Sequence, residues 1–239
     1  MKTAVVTGAA SGIGLATVAH LVEEGYFVHG LDIHEGLPEI MRKVDSKKTQ
    51  AHVGDVSVQD LWMQVKKATG QKLDLMVHNA FTLHIAPLHE QSVSQWGRQW
   101  AVMLDPVLHS ITQFHEQLKN AQGCVVLVSS VHARIGLPGH PAYAAAKGAL
   151  SALARQLAAE YGPEVRVNSV LPGPIATPIW DSVSPEAVKT TARATALKRL
   201  GTADEVAAVI GFLGSSGASY IDGAEIVVDG GWSITKDSS

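Results

Sequence analysis

Tyr143 and Lys147 stand four residues apart in the run Ala142-Tyr143-Ala144-Ala145-Ala146-Lys147. In a helix that spacing puts both side chains on one face. A free phenol titrates at about pH 10, too high for a base near neutrality. A neighbouring ammonium favours the phenolate and lowers that value. The pair therefore suits general acid/base chemistry, although the same spacing also describes an ordinary surface pair. Ser130, thirteen positions earlier, offers a hydroxyl that can bond a substrate oxygen and stabilise developing charge. Ser129 beside it reads as a strand-end hydroxyl that caps backbone.

A second constellation lies at the other end of the chain. Thr7-Gly8-Ala9-Ala10-Ser11-Gly12-Ile13-Gly14 follows a short apolar run and opens an amphipathic one. Glycines allow the tight turn and let backbone come close to a pyrophosphate. The helix start then presents unpaired N–H groups to that anion. A glycine triplet alone is a weak signal; its place between a strand and a helix strengthens it. Asp32 ends the next apolar run, about 20 residues on, where a carboxylate accepts from ribose hydroxyls and repels a 2′-phosphate. Neither Ser11 nor Ile33 is a basic residue that would welcome such a phosphate. These positions favour NAD over NADP. Asp55, with Val56, suits an adenine-edge contact or, equally, a helix N-cap.

The elements that must hold these groups alternate along the chain. Short β-branched runs at 3–7, 27–32, 50–53, 73–78, 123–129, 165–170 and 226–228 predict buried parallel strands. Between them, 12–24, 58–69, 94–119, 142–161 and 203–213 have helical length. The alternation predicts an α/β, Rossmann-type doubly wound parallel sheet of about seven strands, in three layers with helices on both faces. A single domain over residues 1–239 is expected to carry both cofactor and substrate sites. Residues 172–195 hold Pro172, Pro174, Pro178 and Pro185 and interrupt the rhythm. They read as an excursion over the C-terminal sheet edge, a lid or a passive connection. Lys236 to Ser239 are expected to fray.

Composition narrows the class. A net charge of −3 gives no reason to expect nucleic acid or an anionic membrane as partner. No run approaches the roughly 20 apolar residues needed to span a bilayer. The short N-terminal strand is too brief for a signal-peptide core. Cys124 is the only cysteine, so no intramolecular disulfide forms, which fits a reducing cytoplasm. Its apolar surroundings suit a core residue better than a reactive thiol. The 11 histidines include no helical His-x-x-x-His pair, so no metal site is expected.

On these motifs the sequence resembles the short-chain dehydrogenase/reductase family along essentially its whole length. The glycine loop, Asp55-Val56, Asn79-Ala80, Ser130 and Tyr143-x-x-x-Lys147 carry the likeness. So do Asn168-Ser169-Val170-x-Pro172-Gly173, Ile175-x-Thr177, Arg199-Leu200-Gly201, Glu205-Val206-Ala207, Phe212-Leu213 and Val228-Asp229-Gly230-Gly231. The resemblance implies that Tyr143 takes the alcohol proton, Ser130 orients the reacting oxygen, and Lys147 tunes the phenol and binds ribose. It implies that Gly8, Ser11, Gly12, Ile13, Gly14, Asp32, Ile33, Asp55, Val56, Asn79, Ala80, Pro172, Gly173, Ile175 and Thr177 contact the cofactor. It also implies pairing of the long helices into a homo-oligomer, tetramer or dimer.

Two departures stand out. Met103 occupies the place of a family asparagine that helps hold a water chain from the lysine to solvent, a task a thioether cannot do. Pro106 lies in the same expected helix, and a kink there would free the Val102 or Met103 carbonyl to hold that water; the alternative is a plain bend around the core. In His78-Asn79-Ala80-Phe81, Phe81 replaces a small residue, and its ring is expected either in the substrate pocket or under the next loop.

Pocket walls are expected from 81–90, 131–140 and 174–184. These contribute Phe81, Leu83, His84, His132, Arg134, Leu137, His140, Ile179 and Trp180. The mixture suits a small secondary alcohol or ketone, cyclic or polyol-like. The leading expectation is an NAD-dependent dehydrogenase of such an alcohol. The alternatives are a 3-oxoacyl-thioester reductase, which Asp32 disfavours, and an NAD(H)-binding sensor or scaffold, for which Met103 is the motive.

Overall fold

A computed structural model of the chain describes residues 1–235; the expectation for Lys236 to Ser239 lies outside them. Nine strands and eight helices follow in chain order: β1 (Lys2–Thr7), α1 (Gly12–Glu23), β2 (Tyr26–Asp32), α2 (Leu37–Asp45), β3 (Thr49–Val53), α3 (Gln59–Ala68) and β4 (Leu75–His78). Next come α4 (Val93–Met103), α5 (Asp105–Ala121), β5 (Cys124–Val128), α6 (Pro141–Tyr161), β6 (Arg166–Pro172) and β7 (Ile175–Ala176). The chain closes with α7 (Pro185–Ala194), β8 (Gly201–Thr202), α8 (Ala203–Leu213) and β9 (Glu225–Val228).

Seven strands form one parallel sheet in the order β3-β2-β1-β4-β5-β6-β9. The strand order reverses between β1 and β4, so their C-terminal ends diverge into a crevice. Period-two alternation sends neighbouring strand residues to opposite faces. Ala4 and Val6 join a core with Val18 and Leu21 of α1 and Val206 and Ile210 of α8. Val5 joins the other core, with Trp62 of α3, Phe114 of α5 and Leu150 of α6. Truncating the fully buried Phe114 to alanine would cost about 3–5 kcal/mol.

Three local departures from expectation have physical causes. The expected helix 94–119 is two helices, because Leu104, at φ −111° and ψ −45°, breaks it. Pro106 sits in the first turn of α5, where a missing N–H is tolerated. The two-turn helix α2, unanticipated from the sequence, likewise tolerates Pro38 in its first turn. The excursion 172–195 is anchored by a two-stranded β7–β8 pairing, too short to show as sequence periodicity.

Candidate active site

A cleft of about 980 Å³ runs along the C-terminal ends of β1, β2, β4, β5 and β6. Its floor is the glycine turn. Gly8 has φ +68° and Gly12 φ +53°, conformations that a side chain resists. A Cβ on Gly14 would lie 1.9 Å from the Gly8 carbonyl oxygen, and one on Gly8 would lie 2.7 Å from the Asn79 amide nitrogen. The turn is therefore bare backbone beside the start of α1, the surface a pyrophosphate requires. Residues and cradle fit a dinucleotide.

Thr7 stitches the crevice together. Its hydroxyl oxygen accepts the N–H of Asn79 at 2.9 Å and of Ala80 at 3.0 Å. The Asn79 amide donates to the carbonyls of Thr7 (3.1 Å) and Gly8 (3.3 Å). Asn79 thus braces the loop as well as bordering the cleft. Ser11, Gly12, Ile13, Ala80, Ile33, Val56, Pro172, Gly173, Ile175 and Thr177 also border it, while Gly14 lies behind Gly8 as a packing residue. Asp32 accepts the Ala10 N–H at 2.9 Å and the His34 N–H at 3.0 Å, which fixes its carboxylate at the end of β2. Asp55 does not cap α3, whose N-cap is Val58. It accepts from Ser57 and pairs with Arg98 at 2.6 Å. Burial pushes the Asp55 carboxyl up, but the Ser57 and Arg98 bonds outweigh it and hold the value low.

The opposite wall carries the reactive groups. Alanine-rich α6 has high helix propensity, and Pro141 opens it without losing a hydrogen bond. The Ser129 hydroxyl donates to the Lys147 carbonyl at 2.7 Å, pinning that helix against β5. The Lys147 ammonium donates to the Val128 carbonyl at 2.6 Å and lies 5.5 Å from the Tyr143 ring centre. Ser130, Tyr143 and Lys147 all border the cleft.

Their electrostatics differ from the simple expectation. Burial pulls Lys147 down to about 7. Burial also raises Tyr143 above its ordinary value, with Ser130 acting in the opposite direction. Both groups are drawn toward their neutral forms by burial.

The substrate end is built from side chains. Phe81 turns into the cleft, its ring edge-on to Tyr143 at 6.2 Å and 5.9 Å from the Lys147 ammonium. Leu83, His132, Leu137, His140, Ile179 and Trp180 also border the cleft. The Trp180 indole donates to the Ile175 carbonyl at 2.7 Å, which fixes its orientation.

Two expected residues do not reach it. His84 lies outside the lining although Leu83 and Ile85 on either side border the cleft; its backbone N–H donates to the Gln99 side-chain oxygen at 3.3 Å. Arg134 turns outward to Glu225 at 2.5 Å, and Arg155 of α6 pairs with the same carboxylate. Arg98 and Trp232 are among the lining residues that the sequence did not point to. The double glycine before Trp232 was the only local hint of its position.

A family model described as enoyl-(acyl carrier protein) reductase matches residues 8–233. Cyclopentanol dehydrogenase of Comamonas sp. (strain NCIMB 9872) is 34% identical, over 97% of this chain and 96% of its own. Cis-4-hydroxycyclohexanecarboxylate dehydrogenase of Sinomonas cyclohexanicum is 35% identical over 97% and 96%. The 3-oxoacyl-(acyl-carrier-protein) reductase FabG of Thermotoga maritima is also 35% identical, over 96% and 97%. A solved short-chain dehydrogenase/reductase from Brucella melitensis, titled glucose/ribitol dehydrogenase, superposes with TM-score 0.92 at 31% identity, covering 97% of this chain and 96% of that one. The chain belongs to the short-chain dehydrogenase/reductase family. It is an NAD(P)-dependent oxidoreductase acting on CH–OH groups.

Proposed function

We propose that the protein interconverts a secondary alcohol and a ketone with NAD, Tyr143 serving as general acid and base. The convergence of Ser130, Tyr143 and Lys147 on one wall of the dinucleotide-shaped cleft carries this reading. When bound, the cofactor supplies the hydride acceptor for oxidation and the hydride donor for reduction. In the oxidative direction the Tyr143 phenolate takes the carbinol proton while the carbon–hydrogen pair leaves as hydride. Ser130 donates a hydrogen bond to the reacting oxygen. Lys147 spends one N–H on Val128 and keeps two, for ribose hydroxyls and a relay water. Positioning and base catalysis supply the acceleration.

The proton exit follows from the break between α4 and α5. Pro106 gives no N–H to the Val102 carbonyl, and the Val107 N–H goes to Leu104 at 3.0 Å instead of Met103. Both carbonyls lose their regular donors, and Val102 borders the cleft with Lys147. A carbonyl thus takes over the water-holding task that the Met103 side chain cannot perform.

The fixed Asp32 carboxylate supports NAD over NADP, since a ribose phosphate would stand against it. It also weighs against a thioester reductase working with NADPH. The cyclopentanol and hydroxycyclohexanecarboxylate relatives support a compact secondary alcohol. We further infer one domain, residues 1–239, holding both sites, in the cytoplasm. No helix among the described residues is long and apolar enough to cross a membrane. Exposed Val93 and Leu108 on α4 and α5 support a homo-oligomer, a dimer or tetramer. Fluorescence titration with NADH and NADPH, followed by an alcohol panel with NAD, tests the reading. Equal affinity for the two cofactors, or turnover that survives Tyr143→Phe, refutes it.

A further inference from the structure

His132 and His140 share the wall of the cleft with Tyr143, their ring centres 6.3 and 6.4 Å from the phenol ring. The two imidazoles stack on each other at 6.2 Å and 24°. The His132 Nδ1 lies 3.2 Å from the Ile135 carbonyl, and the His140 Nδ1 2.8 Å from the Pro138 carbonyl. A carbonyl oxygen only accepts, so each Nδ1 carries a proton, and the neutral tautomer consistent with that bond leaves Nε2 bare and accepting. Within the described residues neither Nε2 is hydrogen-bonded, and neither is sealed away from solvent.

Burial pulls His132 below the ordinary imidazole value, and the Ile135 carbonyl opposes that shift only in part. The ring is therefore neutral at physiological pH. Around the pair the lining is aromatic or apolar: Phe81, Leu137 and Trp232, the last 5.8 Å from His132. A simple alcohol would cover two lone pairs and give them no donor, which carries a desolvation cost. A carboxylate would set lone pairs against lone pairs.

We propose that His132 and His140 form an acceptor pair for a second hydroxyl of the substrate, so that the preferred substrate class is a diol or polyol. The proposal rests on the reading of the cleft as a carbinol-oxidising site and names the class of carbinol it takes. The reacting hydroxyl meets Ser130 and Tyr143. The other meets the imidazoles, one ring's width away along the same wall.

The test compares matched pairs with NAD and the full chain: cyclohexanol against 1,2-cyclohexanediol, and 2-butanol against 2,3-butanediol. The expected diol preference in kcat/KM is about tenfold or more in at least one pair, carried mainly by KM. In the double variant His132→Phe, His140→Phe that ratio falls toward one; His140→Asn, which keeps an acceptor, retains part of it. A wild-type ratio near one in both pairs, or a ratio unmoved by the double substitution, overturns the proposal. If the double variant does not fold, the wild-type ratio and the single variants decide. If the wild type turns over no alcohol or ketone, the oxidoreductase reading of the cleft fails by itself. The acceptor pair is then judged by equilibrium binding of diol and mono-alcohol to the NADH complex, read by nicotinamide fluorescence, where equal affinities overturn it.

Discussion

The two ends of the cleft are made of different material. The nucleotide end is backbone: a glycine turn, the start of α1, and loops stitched by Thr7 and Asn79. The substrate end is side chain: Phe81, His132, His140, Trp180 and Trp232, arriving from four separate loops. Backbone offers the same groups whatever the side chains, so that end suits a dinucleotide in general and leaves the choice of ribose substituent to the Asp32 carboxylate. Side chains can change one at a time without moving the sheet, so discrimination collects at the other end.

The sharpest division comes from the residue that joins the two ends. Tyr143→Phe should lower turnover by about 10³-fold while NADH affinity stays within about threefold. Stopped-flow rates and fluorescence titration measure the two quantities; a parallel loss in both would mean the ends are not separable. Gly14→Ala should weaken NADH binding by about tenfold or more and lower Tm, because its Cβ meets the Gly8 carbonyl rather than a movable side chain. Leu137→Ala, at the substrate end, should leave NADH affinity nearly unchanged. If the two variants behave alike in cofactor titration, the contrast of materials is wrong.

The same division accounts for what the sequence could reveal. The glycine turn, Asp32, Ser130 and the Tyr143–Lys147 pair are legible because their chemistry depends on spacing within one or two elements. Trp232 and Arg98 are not, since each reaches the cleft only after distant segments have packed. His84 and Arg134 mislead for the opposite reason. They lie in segments that border the cleft, but His84 falls outside the lining and Arg134 is drawn outward by Glu225. The break at Leu104 was visible only as Pro106, and a proline does not say whether a helix bends or restarts.

Smaller effects sharpen the picture. Asp32→Ala should reduce the preference for NADH over NADPH by about tenfold, read as a ratio of dissociation constants; an unchanged ratio would place the selection elsewhere. Because burial holds the Tyr143 phenol protonated beyond its ordinary range, alcohol oxidation should climb about tenfold per pH unit between about pH 7 and 9 while ketone reduction stays level. A flat oxidation profile would mean that another group takes the proton.

The smallest effect concerns stability. Burial holds His29 down at about 4 and His78 at about 3, so each is neutral in the folded chain. The unfolded chain binds their protons first, once the pH drops below about 6.5. Folding stability from these groups is therefore full above that point and drains away toward pH 4 and below. Tm should fall by several degrees between about pH 7 and 5, and less steeply in His29→Gln.

Glu225 gives the substrate end a hinge pin. By gripping Arg134 behind the imidazole loop and Arg155 on α6, it ties the back of that loop to the strand that leads into Trp232. The panel bearing the histidines and the panel bearing the tryptophan are thus clasped from outside, at a point no ligand reaches. Loosening that clasp, as in Glu225→Gln, would let the panels drift apart and blur the choice among alcohols while leaving the nucleotide's grip intact.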